Sequence, residues 1–394
     1  MSTLLTVLAI LVALPVAVPL LVFTAEVLAG LPRARRRDAA DALPRTVVLM
    51  PAHDEAAGIG AAIAALADAR AAGIDLLVVA DNCRDDTAAI ARAAGARVVE
   101  RHDSGRRGKG YALAHGRDAL AADPPACVVI LDADCTVAAD GLRTLAGISA
   151  AADAPVQSSY LFRPHRNAPP GTAVSNFAFL VKNRVRLQGM ARLGGVAALT
   201  GTGMAIPWAD FRDAPLASDD LVEDLALGIW LTRRGRPPRF AADVTTWSDA
   251  VSGADLLVQR QRWEHGFVGT ARRRALPLLA AGLGRGSRSM AWLGLHLLVP
   301  PLALLMVIAT AALLVTALLA IVGASWWVPV PLALLLGVAL VAVLAAWARF
   351  GREQIAGRTL LAVPGYVASK LPIYRALAGK GPAQWQRTRR AGED

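Results

Sequence analysis

Acidic residues recur in this chain where apolar runs stop. Asp54 and Glu55 come shortly after Thr46–Met50, Asp81 directly after Leu76–Ala80, and Asp132 and Asp134 after Cys127–Leu131. A lone Asp in such a place is ordinarily a turn or helix cap. Several at equivalent ends of neighbouring strands would line one rim, and carboxylates so gathered repel unless a cation or donor groups compensate. A divalent metal carrying a phosphorylated ligand is the simplest compensation. On an extended segment Asp132 and Asp134, at i and i+2, share a face. Their oxygens suit Mg²⁺ or Mn²⁺, and the neighbouring Cys135 is not expected to contribute a thiolate. Further on, Ser218 to Asp224 reads as a helix start, with Asp219 and Asp220 as dipole-complementing acids and Asp220 with Glu223 as a capping-box pair. Gln259, Arg262 and Trp263 stand at i, i+3 and i+4, one face of a helix. Thr200-Gly201-Thr202-Gly203-Met204 is a glycine-rich stretch where backbone could approach a ligand.

Short strands must hold these residues. Thr46–Met50, Leu76–Ala80, Arg97–Val99 and Cys127–Leu131 read as buried strands. They alternate with helical stretches at 58–70, 87–94 and 110–122. That alternation indicates βαβ units and a mainly parallel sheet covered on both faces. No GxGxxG follows a strand. Gly105 to Gly110, with Lys109, only superficially resembles a phosphate-binding loop: Asp103 stands where that motif needs Gly, and Gly110 where it needs Ser or Thr.

Composition adds a membrane. Of 394 residues, 55% are hydrophobic and 19% charged, below the roughly 25% charged of soluble chains; mean hydropathy is +0.43. Residues 1–25 carry no charged side chain, and neither does Ser289 to Ala348, broken at Gly323 to Pro329. Spans of roughly 20 residues are expected in 1–30, near 291–321 and at 329–348. The first reads as an uncleaved anchor, because a signal peptide wants a basic start that Met1-Ser2-Thr3 lacks. Arg33, Arg35, Arg36, Arg37, Arg285, Arg288, Arg349, Arg352 and Arg358 flank the spans. The positive-inside rule therefore places the middle region and C-terminus in the cytoplasm. The net charge of +11 then faces anionic lipid headgroups rather than nucleic acid. Residues 359–377 mix apolar residues with Lys370 and Arg375, an interfacial segment before a basic tail. Three cysteines (Cys83, Cys127, Cys135) without CxxC spacing fit neither a disulfide framework nor a zinc knuckle.

Together, Pro51-Ala52-His53-Asp54-Glu55, Asp81, Arg107-Gly108-Lys109-Gly110, Asp132-Ala133-Asp134, Glu223-Asp224 and Gln259-x-x-Arg262-Trp263 resemble the ordered motifs of membrane-bound family-2 glycosyltransferases. The last three look like the DxD, ED and QxxRW signatures shared with polysaccharide synthases. His53-Asp54 departs from the aromatic-Asn more usual in that first motif. The resemblance covers roughly residues 44–275 and implies a GT-A, Rossmann-like α/β fold. The expected organisation is an anchor at 1–30, a cytoplasmic GT-A domain at 31–288, two transmembrane helices at 289–348, and an interfacial segment and tail at 349–394.

The resemblance further implies an inverting transfer of sugar from a nucleotide-sugar, UDP-linked by expectation, to a hydroxyl acceptor. Asp224 would be the catalytic base, assisted by Glu223. Asp132 and Asp134 would hold Mg²⁺ or Mn²⁺ on the diphosphate. Glu55, Asp81, Lys109, Asp132 and Arg262 would bind the nucleotide-sugar, with Gln259, Trp263 and Thr202 on the acceptor. The acceptor would be lipid-linked or a glycan at the inner membrane, with membrane lipids as further partners. A processive synthase and a catalytically inactive nucleotide- or lipid-binding scaffold are the alternatives.

Overall fold

The computed structural model describes residues 1–34, 43–165, 168–218, 222–249, 254–371 and 374, without the side chains of 254–262. They form two compact units. One is drawn from Arg33–Arg163 and Gly195–Phe267, the other from Met1–Pro32, Pro164–Gly194 and Val268–Pro382.

The first unit carries eight strands: β1 (Thr46–Ala52), β2 (Asp75–Asp81), β3 (Arg97–Arg101), β4 (Cys127–Ile130), β5 (Cys135–Thr136), β6 (Val156–Phe162), β7 (Met204–Pro207) and β8 (Arg239–Ser248). Their order in one sheet is β3-β2-β1-β4-β7-β6-β8-β5. β1 to β4 pair in parallel, as their unbroken apolar runs led us to expect. β2 after its first residue, all of β4, and β1 apart from Pro51 are buried. The stretch 58–70, expected as one helix, is two, Ile59–Ala64 and Ala67–Ala71, with a turn at Ala65 and Leu66; the buried residues Ile59, Ala62, Ile63, Leu66 and Ala69 keep helical spacing across it. Val47, Leu49, Val79, Val128, Ile130 and Phe211 are among the core residues.

β7 runs antiparallel between β4 and β6, and this insertion delivers the 200–203 turn to the edge where β1, β2 and β4 end. The Gly203 amide donates to the Ile130 carbonyl (2.9 Å) and its carbonyl accepts from Ser158 (3.0 Å). Buried Gln157 clamps the turn from both sides, donating to the Thr202 carbonyl (2.9 Å) and accepting from the Thr200 amide (2.9 Å). Gly203 has φ +64°, and a Cβ there would lie 2.1 Å from both the Ser158 and Thr246 hydroxyls, which bond each other at 2.6 Å.

The second unit holds three helices long and apolar enough to cross a membrane: Ser2–Gly30, Leu302–Ile321 and Pro329–Gly351. Their outward residues are bare leucines and valines such as Leu4, Leu11, Leu314 and Leu334. The second begins later than expected. Pro300 and Pro301 cannot continue a helix because neither offers an N–H, so Arg288–Leu297 is a separate helix. Between the last two spans, Trp326 and Trp327 are exposed, and the Ser325 amide donates to the Thr6 hydroxyl (3.0 Å). Pro164–Gly194, read with the sheet domain from sequence, belongs to this unit. Its Gly189 packs so tightly on the Glu26 backbone that a Cβ would fall 1.8 Å from that carbonyl oxygen. Past 351, the described part of the segment expected to be interfacial contains a 3₁₀ turn (Gly357–Ala362) and a short helix (Val363–Ser369). Arg375 and the basic tail lie outside the described residues, as do Arg35, Arg36 and Arg37.

A buried charge cluster ties this unit together. The fully buried Glu26 carboxylate accepts from Arg186 (2.7 and 2.8 Å), His296 (2.8 Å) and Trp292 (3.2 Å). Glu26→Ala is expected to cost about 3–5 kcal/mol, because it strands the Arg186 charge. Glu26→Ala with Arg186→Met should cost less than the sum of the single changes, as read from unfolding in detergent. Gly203→Ala should cost about 2–4 kcal/mol through positive-φ strain and overlap with the two hydroxyls, measured the same way.

Candidate active site

The carboxylate pair after β4 is shaped by a turn rather than an extended segment: the Cys135 amide donates back to the Asp132 carbonyl (3.0 Å). The carboxylates of Asp132 and Asp134 still converge, with ligand atoms of Asp132, Asp134 and Cys135 within 4.8 Å of one another. Ala133 between them is buried and Asp134 exposed. Burial, then the charges of Asp134 and Asp132, push the Cys135 thiol well above its ordinary value. The protonated thiol donates to Asp134 (3.2 Å). With the thiol protonated and bonded to Asp134, the donors left are the two carboxylates, hard oxygen ligands that fit Mg²⁺ or Mn²⁺.

Thr202, read as an acceptor contact, lies in the turn before β7. Its side chain is fully buried, and its hydroxyl accepts from the Asp132 amide (3.1 Å). In this position the hydroxyl braces the backbone of the carboxylate pair.

Lys109 opens the helix Lys109–Leu120 after Gly108. Its ammonium donates to Asp132 Oδ1 and to the Gly201 carbonyl (2.8 Å). Burial lowers its basicity, but the charges of Asp132, Glu223 and Asp224 outweigh burial and hold the ammonium above its ordinary value. Asp224 reaches the same turn. A Cβ at Gly201 would lie 3.4 Å from Asp224 Oδ2 and 3.6 Å from Lys109 Nζ. Carboxylates more than ninety residues apart in the chain therefore meet around one ammonium.

Glu223 and Asp224 open the helix Glu223–Arg233, as the acidic stretch led us to expect, and Asp224 accepts from the Leu225 amide (2.8 Å). Asp219 and Asp220, read as dipole and capping acids, lie outside the described residues. Glu223 and Asp224 line a small cavity with Leu113, Met204, Pro215, Leu216 and Leu227. Burial first, then the charge of Asp224, push the Glu223 carboxyl up to about 7.

Asp81 ends β2, buried, and accepts from Arg101 (2.6 Å) and Asn82 (3.0 Å). Arg101 lies 5.3 Å from the centre of the Tyr111 ring. The His53 ring donates to the Asp81 carbonyl (2.6 Å), joining the ends of β1 and β2. Glu55 is half-buried, its amide held by the Thr87 hydroxyl (2.7 Å). Neither Arg101 nor Gln157 stood out in the sequence; a lone Arg at a strand end and a Gln within a strand carry no local signal. Trp263 is half-buried on the helix Ala254–Gly284, where 259–263 have the expected helical backbone. The side chains of Gln259 and Arg262 lie outside the described residues.

With this geometry in hand, comparison adds kinship. The profile described as "Glycosyltransferase like family 2" matches residues 44–266. No curated protein matches the chain. A mannosyltransferase from Pyrobaculum calidifontis, solved with GDP-Man and Mn²⁺, has a similar structure: TM-score 0.56, 17% identity, covering 95% of this chain and 99% of that one. That likeness carries the fold. Glucosyl-3-phosphoglycerate synthase from Mycobacterium tuberculosis, solved with Mn²⁺, UDP and glucosyl-3-phosphoglycerate, gives a TM-score of 0.43 at 24% identity. It covers 61% of this chain and 85% of that one. The family profile takes in all eight strands of the sheet and more than half of the sequence: the chain belongs to glycosyltransferase-like family 2.

Proposed function

We propose that this glycosyltransferase is a membrane-anchored, metal-dependent inverting enzyme that moves a sugar from a nucleotide-sugar to a hydroxyl acceptor, lipid-linked or part of a glycan. The observation that carries the reading is the meeting of Asp132, Lys109 and Asp224 around the Gly201 turn. The mannosyltransferase complex supports the donor class, since it pairs a nucleoside-diphosphate sugar with Mn²⁺. Basic residues flanking the three apolar helices support a multi-pass place in the inner membrane, with the sheet-bearing unit in the cytoplasm.

Asp132 and Asp134 would hold Mg²⁺ or Mn²⁺. When bound, the ion stabilises negative charge building on the departing diphosphate. The remaining work falls to the chain. Asp224, steadied by the Leu225 amide, accepts the acceptor proton as the hydroxyl oxygen attacks the anomeric carbon, and the configuration inverts. Below about pH 7 Glu223 keeps its proton, so it lies beside Asp224 without adding a second charge. Lys109 faces the phosphates with a compact positive charge. Glu55, Asp81 and Arg262 serve the nucleotide, and Gln259 and Trp263 the acceptor.

The purified protein, given Mn²⁺ and a panel of UDP- and GDP-sugars with candidate acceptors, should release nucleoside diphosphate from a matching donor and stop when the metal is chelated. Asp224→Asn should lower turnover about 10²–10⁴-fold while still binding donor. No release from any donor, or full turnover by the Asn variant, would overturn the reading. Glu223 supplies a pH signature. Between its unfolded value of 4.5 and its folded value of about 7, the folded protein holds a proton that the unfolded chain releases. This group's contribution to stability therefore falls as pH rises through that window. The melting temperature of Glu223→Gln minus that of the wild type should grow from pH 5 to pH 8. Parallel profiles would contradict it.

A further inference from the structure

Lys109 occupies a place with two uses. Its ammonium sits on Asp132 Oδ1, an oxygen that a bound cation would share or claim. The Asp132 backbone is braced by Thr202 (3.1 Å), so the carboxylate is held at the site while its partner changes. Lys109 has the longer reach of the two, a flexible four-carbon stem rooted at the first residue of a helix. It has a second anchor in the Gly201 carbonyl (2.8 Å), and the Asp224 carboxylate lies beside the same turn. An ammonium and a divalent ion cannot both take one carboxylate oxygen without repelling each other.

We propose that Lys109 is a positioning residue that acts as a resident counterion for Asp132. The divalent ion displaces it, and it then turns its charge to the diphosphate that arrives with the metal. The inference rests on the metal assignment proposed above and deepens it by tying metal uptake to nucleotide uptake. In the resting protein Lys109 quiets repulsion among Asp132, Glu223 and Asp224, and metal alone binds weakly because it must evict a charge. Nucleotide offers that evicted charge a new partner, so metal and nucleotide load together.

The test is Mn²⁺ binding without nucleotide, followed by the electron paramagnetic resonance of free Mn²⁺, on the full-length protein in detergent. Lys109→Met should bind Mn²⁺ alone about tenfold more tightly than the wild type, the direction expected when a competing unit charge is removed. In saturating Mn²⁺ it should bind UDP or GDP more weakly. A gain in metal affinity cannot arise from a damaged fold. Lys109→Gln, which can still donate to the Gly201 carbonyl, provides a second neutral variant, and Lys109→Arg, which keeps the competing charge, should bind Mn²⁺ alone no more tightly than the wild type. Neutral variants that bind Mn²⁺ no more tightly than the wild type, or an Arg variant as tight as the Met variant, overturn the proposal. With donor turnover intact, such a result leaves the transferase reading standing. A wild-type protein that takes up no Mn²⁺ even with nucleotide present overturns both.

Discussion

Repulsion between carboxylates crowded at one end of a sheet is the constraint from which the rest of the site follows. Asp132, Asp134, Glu223 and Asp224 are relieved in different ways. Asp132 takes the Lys109 ammonium. Asp134 accepts from the Cys135 thiol. Asp224 takes the Leu225 amide. Glu223 retains its proton to about pH 7. The Lys109 relief is a full positive charge, and it acts on Asp132, Glu223 and Asp224 together, so one side chain balances acids from two distant segments.

That arrangement depends on where the 200–203 turn is held. β7 enters antiparallel between two strands that would otherwise be neighbours, and the turn before it is bonded on one side to β4 and on the other to β6. Gln157 closes the clamp with donor and acceptor on the same amide. The turn in turn supplies the Thr202 hydroxyl to Asp132 and the Gly201 carbonyl to Lys109. A buried amide with both ends satisfied is a rigid spacer, so the place of the Gly201 carbonyl and the Thr202 hydroxyl beside Asp132 is set by backbone, not by loose side chains.

The apolar unit obeys the same rule in drier surroundings. Glu26 sits at the end of a nearly uniform hydrophobic helix, yet its carboxylate has a guanidinium, an imidazole and an indole donor around it. In each unit, a buried acid persists because partners from distant segments converge on it.

Much of this was legible in the linear chain. The strands β1 to β4, the three long apolar helices, the DxD pair and the helix opening at Glu223 are properties of short windows, where periodicity, charge and proline act on residues a few positions away. The same locality explains what was not legible. Residues 58–70 looked helical throughout, and their buried side chains do keep helical spacing, so the local pattern carries no mark of the turn at Ala65 and Leu66. Thr202 looked like a ligand contact because it lies in a glycine-rich stretch, and only its packing against β4 turns the hydroxyl onto Asp132. Arg101 on Asp81, Lys109 on Asp132 and Arg186 on Glu26 join residues 20, 23 and 160 positions apart. The sequence by itself determined which elements form and which chemistries are present. The tertiary structure decided which charge neutralises which, because a side chain's electrostatic partner is chosen by distance in space and by desolvation, and neither quantity is a function of spacing along the chain.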